Sequence, residues 1–178
     1  IEFPIAVKCK LYEYCPDLRQ HLPSQNDVSK VKKESEKPIH LPSDFNIRDY
    51  QKVAISNWDS NEFKGIYDMA TGTGKTLTAL ASVEHLFRKN KERLAVIIMC
   101  PYQHLVEQWV EDIVRFGMHP IIGYSESKQK NWKKNLEQAV RSFNLHVSDH
   151  FCFITTNASF VTKYVQTQIQ QLNKDTVL

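Results

Sequence analysis

The chain has 178 residues, 42% of them apolar and 24% charged, with a formal net charge of +3. That is enough apolar content for one domain with a true core and a short appendage, and it excludes a chain too polar to fold. A charge so close to zero neither demands nor excludes a nucleic-acid partner, so any basic function must come from a local patch.

The first 28 residues follow no period. Their opening, "IEFPIAVKCKLYEYCPD", carries Cys9 and Cys15 but no signal-peptide core. With Cys100 and Cys152 these make no CxxC pair, and the latter two sit in apolar runs, as buried reduced thiols would. No apolar run approaches the length of a membrane-crossing helix. A soluble cytoplasmic protein (nuclear in a eukaryote) with no membrane partner is therefore expected, and the sequon at Asn157 is fortuitous. "SKVKKESEKP", residues 29–38, reads as a solvated linker that Pro38 and Pro42 extend. Residues 1–44 are thus expected to be an N-terminal extension and residues 45–178 the folded domain.

From Phe45 the pattern alternates. Tyr50, Val53, Ala54 and Trp58 fall at helical spacing. "KGIYDM", residues 64–69, predicts a short strand. Leu77, Leu80, Ala81 and Phe87 mark the next helix. "RLAVIIMC", residues 93–100, is a continuous apolar run, as in a strand covered on both faces, and Pro101 ends it. Leu105, Trp109 and Ile113 beside Val106, Val110 and Val114 predict an amphipathic helix closed by Gly117. "PIIGY" predicts another strand. "SKQKNWKKNLEQAVRSF", residues 127–143, predicts a basic helix with Trp132, Leu136, Ala139, Val140 and Phe143 inward. "HFCFITT" predicts a buried strand, and Val161, Tyr164, Val165, Ile169 and Leu172 a last helix. "DTVL" begins one more strand. Strands and helices in this alternation predict a parallel sheet wrapped by helices.

The chemistry centres on "DMATGTGKTLTAL", residues 68–80. A turn between a strand and a helix is where backbone N–H groups and the helix dipole converge on an anion. Gly72 and Gly74 allow positive φ and close approach. Lys75 can reach the β- and γ-phosphates of a nucleotide, and the Thr76 hydroxyl can ligate Mg²⁺. Gly74, Lys75 and Thr76 fit the GxxxxGK[ST] template, while Met69 stands at its first glycine.

"MATGTGKT" resembles motif I of superfamily 2 helicases and translocases, which tolerate a non-glycine first residue. "IRDYQKVAI" resembles the upstream Q-motif of the branch containing restriction-enzyme motor subunits and XPB-like repair helicases. "IIMCPYQHLVEQW" is similar to motif Ia, and "FITTNASF" to the later strand followed by threonines. The resemblance implies the α/β fold of a RecA-like P-loop parallel sheet with helices on both faces, ATP and Mg²⁺ as cofactors, and DNA as partner. It implies that Ala70, Thr71, Gly72, Thr73, Gly74, Lys75, Thr76 and Leu77 line the nucleotide. It also implies that Gln51 reads the adenine edge with its donor–acceptor amide, with Arg48 and Tyr50 flanking it. For Tyr50 a plain core role stands equally open. Pro101, Tyr102, Gln103 and His104 would touch a nucleic-acid backbone, although the arginine many relatives carry in that loop is absent. Thr155 and Thr156 read equally as phosphate contacts or as a strand end and helix cap. Gln108 and Trp109 read as helix packing, and the lysines of residues 128–134 as a solvated face. His146 and His150 lack a third metal ligand.

A motor of this kind needs a carboxylate at a strand end to hold Mg²⁺ through water. Asp68 lies in the wrong strand position and no other strand candidate supplies one. The resemblance therefore implies a lobe incomplete at its C-terminus, ending before the acidic DE-x-H block. A second RecA-like lobe, and by analogy a nuclease domain upstream, would lie outside the chain. The expected function is ATP-driven movement on DNA in the full-length enzyme, with little turnover by this fragment. A nucleotide-binding module that does not unwind, or an RNA helicase lobe, is the alternative.

Overall fold

The computed structural model describes residues 38–172 and the backbone of Thr176–Val177. Strand β1 (Leu94–Cys100) lies between β3 (His150–Thr156) and β4 (Thr176–Val177), and β2 (Ile121–Gly123) lies outside β3. All three pairings are parallel, with Leu94 opposite His150, Ala95 opposite Thr176 and Ile121 opposite Phe153. The two continuous apolar runs thus become the two central strands, buried on both faces.

Period-2 alternation divides the core into two layers. Leu94, Val96, Cys100, Cys152 and Ile154 face α1 (Asp49–Ser60), α2 (Lys75–Lys89) and α3 (Gln103–Arg115). Ala95, Ile97, Phe151 and Phe153 face α4 (Trp132–Asn144), α5 (Asn157–Phe160) and α6 (Lys163–Ile169). The α/β prediction with helices on both faces holds.

Local chemistry sets the element ends. Asp49 complements the N-terminal dipole of α1, and Arg88 and Lys89 complement the C-terminal dipole of α2. After α3, Gly117 has φ +81°, and a Cβ there would come 2.5 Å from Nδ1 of His40. That contact belongs to an N-terminal stretch read from sequence as linker. Ile39 is buried, His40 N–H donates to Phe116 O at 3.0 Å, and the compact unit begins at Pro38. Of the predicted extension, residues 1–37 lie outside the described residues.

Three element predictions are corrected. "KGIYDM" is not a strand: it runs as irregular backbone with Ile66 95% exposed. An open groove of about 300 Å³, lined by Gly65, Tyr67, Leu80, Ile98 and Met99 among others, lies beside it. With no neighbouring strand among the described residues to exchange backbone hydrogen bonds, β-propensity alone does not make a ladder. The basic helix starts at Trp132, not Ser127, because the Ser127 hydroxyl donates to Ile122 O (2.7 Å) while the Gln129 amide accepts from Ile122 N–H (3.1 Å) and donates to Pro120 O (3.1 Å). These side chains satisfy edge strand β2 and hold residues 127–131 out of the helix. The last predicted helix begins at Lys163 and ends at Ile169: Val161, its expected first residue, is exposed and closes the short helix α5, and the Thr162 hydroxyl donates to Ser159 O.

Candidate nucleotide-binding site

The loop ahead of α2 is built by two left-handed glycines, Gly72 at φ +80° and Gly74 at φ +81°. A Cβ at Gly72 would meet nothing within 4 Å, so φ rather than crowding calls for glycine there. Between them, Thr73 folds back on Ala70 O through its hydroxyl at 2.7 Å and its N–H at 3.4 Å. The turn leads into the first turn of α2, whose leading N–H groups have no intrahelical partner and which carries no acidic residue. Thr76 is half-buried there. Lys75 Nζ donates to Met69 O at 3.0 Å and Ala70 O at 3.2 Å, so its ammonium lies against the same loop. A cluster of N–H groups, a helix N-terminus, a lysine and a hydroxyl fits the terminal phosphates of a nucleotide with Mg²⁺.

Helix α1 is tied to this loop by side chains. Gln51 is 3% exposed: its Oε1 accepts from Arg48 N–H at 3.0 Å and its Nε2 donates to Thr78 Oγ1 at 2.9 Å. The Thr78 hydroxyl in turn donates to Gly74 O at 2.9 Å. Gln51 therefore caps α1 and braces the loop, with one amide hydrogen and one lone pair left over. Arg48 Nη1 donates to the Tyr50 hydroxyl at 3.2 Å, and that hydroxyl donates to Thr73 O at 2.8 Å. Tyr50 is 43% exposed, so the core reading does not describe it.

At the far end of the helix pair, Asp59 accepts from His85 Nε2 at 2.9 Å and from Lys89 Nζ. Lys89, then His85, hold its carboxyl below the ordinary value of 3.8. Sequence reading missed this clamp, as it missed the Tyr67–Ser82 hydroxyl pair at 2.6 Å. Both join residues far apart in the chain, and periodicity carries no trace of such pairs.

The residues expected to touch nucleic acid divide. Pro101, Tyr102, Gln103 and His104 are all exposed at the carboxyl end of β1, with the Tyr102 and His104 rings stacked at 5.6 Å and 9°. Thr155 and Thr156 are corrected. Thr155 is 0% exposed and its hydroxyl donates to Gly123 O, tying β3 to β2. Thr156 is the N-cap of α5, accepting from Ser159 N–H at 3.3 Å. Trp109 packs on the core as expected, whereas Gln108 is exposed and does not. The His150 ring packs edge-to-face on Phe87, and His146 is exposed. Cys100 and Cys152 are buried, and burial pushes the Cys152 thiol up to about 12.

An all-parallel sheet with helices on both faces and a glycine-bounded loop before a helix define a RecA-like domain of the superfamily 2 helicase type. The family model for the type III restriction enzyme, res subunit, matches residues 44–178, and the chain belongs to that family. Domains of this family are ATP-dependent and helicase-like, generally use ATP with Mg²⁺, and form part of restriction enzymes that act on DNA. No curated protein matches the chain. Among the described residues no helix is long and apolar enough to cross a membrane.

Proposed function

We propose that residues 45–178 form the ATP-binding lobe of a DNA translocase of the restriction type, with residues 1–44 as an extension. The observation that carries this reading is the pair of left-handed glycines on either side of Thr73, directly ahead of a helix that opens with Lys75 and Thr76. In this reading Ala70 to Leu77 wrap the phosphates. Lys75 leaves the carbonyls of Met69 and Ala70 for the β- and γ-oxygens, and Thr76 holds the Mg²⁺ that arrives with the nucleotide and neutralises phosphate charge. Arg48 lies at the base end, and Gln51 keeps the loop in place behind it. Tyr102 and His104 offer a stacking surface, and Gln103 a hydrogen-bond donor, to a DNA strand crossing the carboxyl edge. A second RecA-like lobe would close on this one as ATP turns over.

The rival reading, a nucleotide-binding module that does not move on nucleic acid, draws on one observation. Among the described residues β1, β2 and β3 end in Cys100, Gly123 and Thr156, none of them a carboxylate. The test is nucleotide titration of this chain beside ATP turnover of the full-length enzyme with and without duplex DNA. Lys75→Ala is expected to weaken ATP binding about 10- to 100-fold, as loss of a charge-assisted phosphate contact does, without shifting the unfolding midpoint. DNA is expected to stimulate turnover of the full-length enzyme. Unchanged ATP affinity in Lys75→Ala would remove the phosphate-loop assignment. DNA-independent turnover would favour the static module, and stimulation by RNA alone the RNA helicase.

A further inference from the structure

The phosphate loop is held by α1 at two points that differ in kind. Gln51 works from the interior through Thr78, whereas Tyr50 reaches the loop from the surface. Its hydroxyl meets the carbonyl of Thr73, the residue between the two left-handed glycines. Backbone sterics leave the peptide joining Thr73 to Gly74 free to rotate as a unit, because Gly74 populates both signs of φ without cost. That peptide is trans and planar, as no peptide bond among the described residues is cis, so its carbonyl and its N–H point to opposite sides. Fixing the direction of Thr73 O therefore fixes the direction of Gly74 N–H. Arg48 Nη1 donates to the Tyr50 oxygen at 3.2 Å, which leaves the hydroxyl's own proton for Thr73 O at 2.8 Å.

We propose that Tyr50 is a positioning residue for the phosphate loop: by holding the Thr73 carbonyl it aims the Gly74 N–H into the anion cradle. This rests on the phosphate-loop reading above and deepens it. It assigns to Tyr50 an effect on the triphosphate, where its neighbourhood in the sequence pointed to the base. Arg48 acts in the same chain of donors, so the residue at the base end also sets the hydroxyl that holds the loop.

Tyr50→Phe keeps the ring and removes the donor, and the position is exposed enough for the chain to fold. The experiment is calorimetric titration of the 178-residue chain with ATP and with inorganic tripolyphosphate, which has neither base nor ribose, both with Mg²⁺. The unfolding midpoint is measured in parallel. The expected result is an equal fall in affinity for both probes, about three- to ten-fold, the size of one net hydrogen bond, at an unchanged midpoint. A loss confined to ATP would place Tyr50 on the base and overturn the proposal. Unchanged affinities would overturn it too, as would a fall accompanied by a lowered midpoint. If the unmodified chain binds neither probe, the phosphate-loop reading itself falls, and the role given to Tyr50 with it.

Discussion

Two segments of this molecule place threonine hydroxyls where a helix begins and behave in opposite ways. Thr73–Gly74–Lys75–Thr76 open α2, and Ile154–Thr155–Thr156 lead into α5. In the first, the backbone curls around Ala70 O and leaves a helix N-terminus facing outward. In the second, β3 is flanked by β2 and β1, so a threonine at its end is enclosed and must find a partner within the sheet. Thr155 finds Gly123 O and Thr156 finds Ser159 N–H. Position in the sheet order, rather than residue type, decides whether a hydroxyl is offered to a ligand or consumed by the fold.

The sharpest way to break that comparison is Thr155→Val, which keeps shape and removes the hydroxyl. If Thr155 only ties β3 to β2, the change leaves Gly123 O buried without its partner and costs about 1–3 kcal/mol of stability. Denaturant unfolding is expected to show that loss, with DNA affinity untouched. A chain of normal stability that loses DNA affinity would restore Thr155 as a phosphate contact.

An effect of similar size, on DNA affinity rather than on stability, is expected from the segment that remains exposed. Tyr102→Ala removes one face of the Tyr102–His104 stack. If that stack receives a base, single-stranded DNA affinity in the full-length enzyme falls by about 1–3 kcal/mol, while stability changes by less than about 0.5 kcal/mol, as for a solvent-facing site. Equal DNA binding by this variant would leave the carboxyl end of β1 without the contact proposed for it.

How far the sequence could be read follows the same division. The runs at residues 93–100 and 150–156 announce buried parallel strands because such strands need apolar residues on both faces. The period of Trp132, Leu136, Val140 and Phe143 announces α4 because one face alone is covered. The turn ahead of α2 was legible because its glycines are demanded locally, by φ. What failed depended on neighbours. Residues 64–69 have strand-like residues but, among the described residues, no strand beside them. Val161 was read as the start of the last helix, but the Thr162–Ser159 bond closes the turn there and the helix starts at Lys163. Ile39, in a stretch dominated by charge and proline, is buried because His40 pairs with the end of α3. Nothing local marks Gln51 as interior either, since its amide donates to Thr78, twenty-seven residues away in sequence.

The smallest expected effect lies at the opposite end of the helix pair from the loop, and it tests whether α1 is strapped at both ends or at one. Asp59 joins α1 to His85 and Lys89 of α2, and these partners hold its carboxyl below the ordinary 3.8. A lowered carboxylate favours the folded chain above the unfolded value and ceases to do so as pH falls through the folded one. The advantage of the native chain over Asp59→Asn should therefore be present at pH 7, begin to shrink near pH 4 and vanish at lower pH. Salt should shrink it as well, because His85 and Lys89 are half-exposed. Thermal midpoints of the two chains across pH 7 to 3 measure it directly. A difference that stays constant with pH would mean that Asp59 contributes packing rather than charge.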